Sequence, residues 1–587
     1  METLEYLAIG VAAAALIIAV TALAPRAGVA SPLVLVVIGA GVSLLPWVPA
    51  IEVPPEVILG GVLPPLLYSA AVGLPSMDFR RDFTAIGGLS VTLVVIGSVL
   101  IGLLFRVLIP GIDLATAIAL GAIVSPTDAV ATSIVKRLGA SPRSVTMLEG
   151  ESLLNDASAL VLLRSAIAAT AATVSLWEVV GDFVFAAGLA VVIGVPVGWL
   201  GLRVRKRLQN AALSTAMSFV VPFFAYLPAE ELGASGLVAV VAAGLVTGNG
   251  SPRHLRPQDR IAERSNWRTV ELLLEGTVFL VMGIQLFDLI EDTEAGTGSV
   301  WQAAVVAVIA SAAVLVVRAA FVAPLIVLQS RRARRGEAVR ETLSGIQDRL
   351  DQRAAAAPPA AAEAPKGRRS RAARLERIQG TLRRRTADID YDLAKPLGWR
   401  EGTLLVWAGM RGVVTLAAAQ TLPADIPGRS FLILVAFGVA FGTLLVQGST
   451  LPWVTRKLGL VDQDTTGDLP ALRRETEQAA RTFLAEPRRP DGTEYDAGVV
   501  ARVRRDTFRE QESQDADAIL PKERFIQYRE LRLATIAAQR EELLTARSTG
   551  SYDSAQLGNA LDLLDAEQIA VEMRKGKIPV RDDDPER

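Results

Sequence analysis

The sequence predicts an all-α polytopic membrane protein of about thirteen transmembrane helices with a helical cytosolic tail. Three observations carry this. Apolar runs near 20 residues long recur along the first 455 positions, and about 20 apolar residues is the length that spans a bilayer as a helix. Hydrophobic residues make up 51% of the 587 positions and the mean hydropathy is +0.38, yet only 5% are aromatic. The weight falls on Gly, Ala, Val and Leu, which suits close helix packing in lipid. The basic residues between the runs keep to alternate loops. The short alternating segments of an outer-membrane barrel are absent from the sequence.

In order, the spans are 4–24, 29–47, 57–74, 83–108, 114–138, 145–173, 176–202, 211–227, 234–248, 270–289, 299–328, 402–422 and 431–454. Loops after odd spans carry Arg26, then Arg80 and Arg81, then Lys136, Arg137 and Arg143, then Arg203 to Arg207, then Arg253 to Arg264. Loops after even spans carry Glu52 and Glu56, Asp113, Glu178, Glu230 and Glu231, and Asp288 to Glu294; the last, with Asp425 and Arg429, is mixed. Lys and Arg mark the cytoplasmic side. The N-terminus is therefore expected outside and the C-terminus inside a plasma membrane. The acidic start, Met1 to Glu5, argues for a first span that is retained.

Two domains follow: a transmembrane domain over 1–455 and a charged, Ala/Glu/Arg/Leu-rich helical tail over 460–587. Within the first, 330–399 reads as a cytoplasmic loop. Its Ala/Pro stretch from Ala354 to Pro365 and its Arg run suit a solvated linker touching anionic lipid. Lys plus Arg (60) balances Asp plus Glu (61), which singles out no charged partner, and no nucleic acid is expected. With no Cys and one His, His254, no resident metal cluster or disulfide is expected. Neither GxGxxG nor GxxxxGK[ST] occurs in the tail, which removes the simplest case for an ATP-driven pump. No cofactor and no enzymatic activity are expected.

Ionisable groups inside spans are costly, so they mark function. Span five reads Ser125-Pro126-Thr127-Asp128-Ala-Val-Ala131. Pro126 removes a backbone donor and breaks the helix at mid-membrane, and broken helices leave carbonyls and half-helix ends that bind ions. Asp128 stands at the start of the second half-helix, as an N-cap, a site residue, or both. Span six begins Glu149-Gly-Glu151-Ser152-Leu-Leu-Asn155-Asp156. Ser152, Asn155 and Asp156 share one helix face, offering oxygen ligands of the kind hard cations prefer. One carboxylate that holds either a proton or a cation is the minimal device for exchange. Span twelve places Arg411 between Gly409 and Gly412, a second interruption. An intramembrane Arg needs an acidic or carbonyl partner; Glu275 of span ten is one candidate, and snorkelling is the alternative. Pro64 and Pro65 bend span three. Arg164 and Arg318 lie in or near spans, where both can snorkel, and receive no role.

Together, Ser125-Pro-Thr-Asp-Ala-Val-Ala, Glu151-Ser-Leu-Leu-Asn-Asp156, Gly409-Met-Arg-Gly and Leu63-Pro-Pro-Leu-Leu resemble the monovalent cation:proton antiporter family of the CPA1 type. That family includes bacterial and archaeal Na⁺/H⁺ antiporters and animal Na⁺/H⁺ exchangers. The resemblance covers about 1–455. It implies an inverted-repeat fold in which spans 4–6 and 11–13 form the ion-carrying core, with five and twelve broken and crossing, and the other spans form a dimerisation scaffold. It implies that Asp156 carries cation and proton in turn, with Ser152, Thr127 and Glu151, the last through water, completing the shell. Asp128 and Arg411 would balance the half-helix dipoles. The pair Asn155-Asp156, rather than Asp-Asp, resembles the electroneutral branch. One departure stands out: many relatives carry an acid where this chain has Ser69, and that acid pairs with the span-twelve Arg. Glu275 then gains weight by elimination.

The implied activity is Na⁺/H⁺ exchange by a homodimer, serving pH and sodium homeostasis, with a tail open to a regulator. K⁺/H⁺ exchange is the near rival, because oxygen ligands do not separate the ions, nor Li⁺. A cation channel would need a filter loop or charge ring. A non-transporting ion or pH sensor would signal through the tail.

Overall fold

A computed structural model describes the chain except residues 1, 28, 46–53, 172–175, 296–298, 356–379, 383, 394–395, 462–468, 490, 509–521 and 574–587. Most of the Ala/Pro stretch and of the Arg run after it, and the acidic loop at Glu52, lie outside the described residues. Among those described the chain is helical, with one isolated bridge between Arg488 and Glu494. It divides into two compact units: Met1–Arg332 with Pro396–Gln463, and Ala333–Lys395 with Asp464–Arg587.

The first unit is a bundle. Its helices are α1 (Glu2–Leu23), α2 (Ser31–Ser43), α3 (Leu63–Gly73), α4 (Ser76–Gly87), α5 (Leu93–Leu108), α6 (Leu114–Ile123) and α7 (Val130–Arg137). Then come α8 (Pro142–Ala171), α9 (Leu176–Arg205), α10 (Ala211–Glu231), α11 (Gly236–His254), α12 (Pro257–Ala295) and α13 (Val300–Ala355), of which the part beyond Arg332 counts with the second unit. The unit closes with α14 (Trp399–Trp407), α15 (Val413–Gln420) and α16 (Arg429–Lys457). Among the described residues, seven helices are long and apolar enough to cross a membrane. Pro64 and Pro65 lie inside a helix that runs on from a π-helical turn, Val57–Val62, and the wider turn before them is where their missing N–H groups are accommodated. A second π turn, Gly88–Thr92, joins α4 to α5.

Small residues let backbones meet. Gly39 of α2 and Gly283 of α12 face each other so closely that a Cβ on either would fall on the other helix's backbone. In lipid, where helices gain nothing from hiding apolar surface, such contact packing supplies the association.

Two helices outrun the hydrophobic pattern. The tenth span was expected to begin at 270, but α12 begins at Pro257. Its polar first part is anchored: Glu263 takes two hydrogen bonds from the fully buried Arg205 of α9, at 2.8 and 2.9 Å, and Trp267 donates to Ser218 of α10. Likewise α13 runs on to Ala355, and residues 384–393 are helical, so the expected 330–399 loop is partly helix. Hydropathy marks where apolar surface ends, whereas Arg, Glu, Ala and Leu continue a helix in water.

The second unit contains α17 (Leu469–Ala485), α18 (Ala497–Phe508), α19 (Lys522–Thr549) and α20 (Ser554–Met573). Leu484, Tyr495, Val499, Val503, Tyr528 and Leu531 form its core. Arg540 of α19 pairs with Asp565 of α20 at 2.8 Å.

Candidate functional site

Two interrupted helices cross inside the first unit. The helix over α6 and α7 is unwound from Val124 to Ala129, around Pro126, and the helix over α14 and α15 from Ala408 to Gly412. The unwound segments touch through their backbones: the amide of Asp128 donates to the carbonyl of Met410 at 2.8 Å. The amide of Arg411 donates to Thr443 of α16 at 3.0 Å. Four half-helix ends therefore meet in a buried interior. Each carries about half an elementary charge, positive at N-termini and negative at C-termini.

Side chains answer all four ends. Arg411 serves the C-terminal end of α6, donating to the carbonyls of Val124 (2.9 Å) and Ser125 (3.3 Å) and to that of Gly409. Arg318 of α13 serves the C-terminal end of α14, donating to the carbonyl of Leu405 at 2.8 Å. Asp128 sits at the N-terminus of α7, accepting from the amide of Val130 at 3.3 Å, and its carboxylate also interacts with the amides of Ala129 and Val413, the latter at the start of α15. Glycine makes room for this. A Cβ on Gly412 would land on the Asp128 carboxylate, and one on Gly409 would lie 2.7 Å from the Arg318 side chain.

Thr127 is the hub between the crossing and α8. Its carbonyl accepts from Ser152 at 2.9 Å. Its hydroxyl accepts from Asn155 at 2.6 Å and donates to Glu151 at 3.4 Å. Glu151, 1% exposed, is gripped by both terminal nitrogens of Arg318, one at 2.7 Å. Asp156 is 6% exposed and interacts electrostatically with Asp128. Among the described residues, three buried oxygens here have no hydrogen-bond donor: Oδ1 of Asp156, Oδ1 of Asn155 and Oδ2 of Asp128. Buried polar atoms are rarely left so. A proton or a cation would satisfy a carboxylate oxygen, and a cation the amide oxygen as well. Beside the crossing lies a cavity of about 20 Å³, lined by Ser125, Glu151, Asn155, Arg318 and Arg411 among apolar side chains of α5 and α13. That is room for roughly one water molecule.

The structure thus brings Thr127, Asp128, Glu151, Ser152, Asn155, Asp156 and Arg411 together. It does not pair Arg411 with Glu275: the guanidinium takes carbonyl partners, while Glu275 interacts with Asp128 and Glu271. Ser69 hydrogen-bonds Glu271 of α12. Arg164, half exposed, pairs with Glu230 at 2.8 Å. The residue that sequence reasoning missed is Arg318. It lies ten residues inside the end of an apolar run at 328, about 15 Å along a helix, too deep to snorkel, and that depth was the available signal.

Interrupted helices crossing at a buried carboxylate, with their dipoles neutralised by side chains, are the architecture of a secondary transporter. The chain belongs to the sodium/hydrogen exchanger family: residues 12–347 and 380–457 match the model described as the transmembrane sodium/hydrogen exchanger. It is 28% identical over 581 residues to an uncharacterised Na⁺/H⁺ exchanger of Mycobacterium tuberculosis, covering 95% of each chain. It is 27% identical over 458 residues to a Na⁺/H⁺ antiporter of Aphanothece halophytica, covering 77% of this chain and 73% of that one. The fold resembles the solved sodium proton antiporter of Methanocaldococcus jannaschii, with a TM-score of 0.55 at 16% identity, over 78% of this chain and 99% of that one.

Proposed function

We propose that the protein exchanges Na⁺ for H⁺ across the plasma membrane by alternating access, with Asp156 as the shared carrier. The observation that carries this reading is the buried Asp156 carboxylate with an undonated oxygen, beside a crossing whose helix dipoles are already answered by Asp128, Arg318 and Arg411. Because those groups balance the scaffold, the charge on Asp156 is left for cargo. Burial favours a protonated carboxyl and a bound cation favours the ionised one, so the two ligands exclude each other. One carboxylate carrying one H⁺ one way and one Na⁺ the other moves no net charge, so exchange is electroneutral. Ser152, Asn155 and Thr127 supply neutral oxygens around the cation, and Glu151, neutralised by Arg318, holds Thr127 in place. The working form is a homodimer with thirteen crossings, N-terminus outside and tail inside, as the Lys/Arg alternation supports. It serves sodium and pH homeostasis.

K⁺/H⁺ exchange is the second reading. A relative in Bacillus subtilis described as a sodium, potassium, lithium and rubidium/H⁺ antiporter is 33% identical over 273 residues, 44% of this chain and 40% of that one. Dequenching of a pH dye in everted vesicles, with Na⁺, K⁺ and Li⁺ added in turn, ranks the ions. Dequenching by Na⁺ at lower concentration than by K⁺ supports the first reading; the reverse order supports the second. Dequenching by no cation removes both.

A further inference from the structure

A second concavity lies away from the crossing, at the end of the bundle that bears the arginines. It is an open crevice of about 400 Å³ between α4 on one side and α9 and α11 on the other. Its size falls within the roughly 300–1,000 Å³ typical of ligand pockets. The walls are apolar: Phe79 from α4, Trp199 and Leu202 from α9, Leu245 and Val246 from α11. Trp199 is 55% exposed, so the crevice opens toward whatever surrounds the bundle. Ser76 of α4 bridges it by donating to Asn249 of α11 at 3.0 Å.

The rim carries two arginines and a histidine. Arg203 stacks over Trp199, 5.1 Å from the ring centre, one turn further along α9. His254 closes the α11 end, its ring hydrogen-bonded to the carbonyl of Gly250, with Arg253 beside it. Arg80 follows Ser76 by one turn on α4. Arg203 and Arg253 are exposed, and the acids Asp78 and Asp82 of α4 are buried, Asp78 beside Arg81 at 3.7 Å and Asp82 on Arg143 at 2.6 Å. An apolar slot capped by two exposed arginines, on the outer surface of a transmembrane bundle, has the polarity that complements an anionic phospholipid.

We propose that this crevice seats an acyl chain of an anionic phospholipid from the cytoplasmic leaflet, with the headgroup phosphate held at the Arg203 and Arg253 rim. The lipid acts as a wedge between α4, which leads into the α5 helix packed on the broken α6, and the α9/α11 pair. Interfacial Trp and basic residues at one membrane face suit such a headgroup. The site is separate from the exchange site, so its test needs no transport readout.

The test uses the full chain, purified and reconstituted, with photoactivatable phosphatidylglycerol or phosphatidylcholine bearing the reactive group on the acyl chain. Adducts are located by peptide mass spectrometry. The expected result is phosphatidylglycerol labelling at Trp199, Leu202, Leu245 or Val246, competed by unlabelled phosphatidylglycerol and not by phosphatidylcholine. Arg203→Gln should lower that labelling about fivefold, as one basic residue at an anionic surface does, and Arg203→Lys should restore it. Both changes are at an exposed position and leave the fold intact. Equal labelling by both probes would overturn the headgroup assignment. Adducts elsewhere would overturn the site. Because the native chain has no Cys, a cysteine placed at Trp199 that crosslinks two chains would show a second copy in the crevice, which also overturns the proposal.

Discussion

Arg318 offers the sharpest test of how the crossing is held together. Its side chain is 2% exposed and makes three hydrogen bonds, two to Glu151 and one to the Leu405 carbonyl. Arg318→Met keeps the bulk and removes the charge, which strands a carboxylate in the bundle interior and leaves the end of α14 unanswered. Breaking a buried pair from one side costs about 3–5 kcal/mol, because the remaining charge has lost its partner. Removing both charges, as in Arg318→Met with Glu151→Leu, strands neither, and the main remaining cost is about 1–3 kcal/mol for the unpaired Leu405 carbonyl, since the Thr127 hydroxyl keeps its bond from Asn155. The double variant should therefore be more stable than Arg318→Met alone. The assay is unfolding of the purified protein in detergent for all four members of the cycle, with the coupling taken as the non-additive part. If Arg318→Met unfolds with the wild type, or if the two single losses simply add, the pair does not hold the crossing and the reasoning fails.

Other outcomes follow from the same geometry. Arg411→Ala leaves the carbonyls of Val124, Ser125 and Gly409 without their donor, so both abundance and transport should fall, with a stability loss of roughly 2–4 kcal/mol. Arg411→Lys should rescue it only in part, since a point charge cannot replace the planar fork; a fully active alanine variant, measured by yield and dye dequenching, would contradict this. Gly412→Ala puts a methyl group where the Asp128 carboxylate lies and should cost about 1–3 kcal/mol in overpacking, while Gly442→Ala, with open space at that position, should be silent in the same melting assay. Cysteines placed singly at Glu291 and Glu475 should be labelled by a membrane-impermeant maleimide from outside and from inside respectively. The reverse pattern would overturn the orientation.

How far the site was readable depended on whether each interaction has a side-chain signature. The break in span five was legible because Pro126 interrupts an apolar run, and the face of α8 was legible because Ser152, Asn155 and Asp156 recur at helical spacing. The partner of Arg411 was not. Its partners are the carbonyls of Val124 and Ser125, 287 and 286 positions away, and that of Gly409, and a carbonyl is carried by every residue, so composition cannot flag them. Of the two kinds of partner an intramembrane Arg accepts, acidic or carbonyl, the chain supplies the carbonyl one, and only the acidic kind has a candidate, Glu275, that a sequence can point to. Arg318 was passed over for a related reason: its role appears only when α13, α8 and α14 are placed together. Helix ends in polar sequence, at Pro257 and Ala355, escaped the hydropathy pattern because burial of Glu263 and Trp267 depends on tertiary partners.

The central claim is that Asp156 alone carries cation and proton in turn. Asp156→Asn keeps the shape and hydrogen-bonding reach of the side chain but cannot titrate. The decisive measurement is ²²Na⁺ uptake driven by a proton gradient into vesicles holding the purified variant, beside the wild type over a range of pH. If proton and cation share Asp156, acidification raises the apparent KM of the wild type for the cation with little change in maximal rate. The Asn variant, eluting as a folded protein, should take up no Na⁺ above empty vesicles. Uptake by that variant near the wild-type rate would contradict the claim and place the carrier elsewhere.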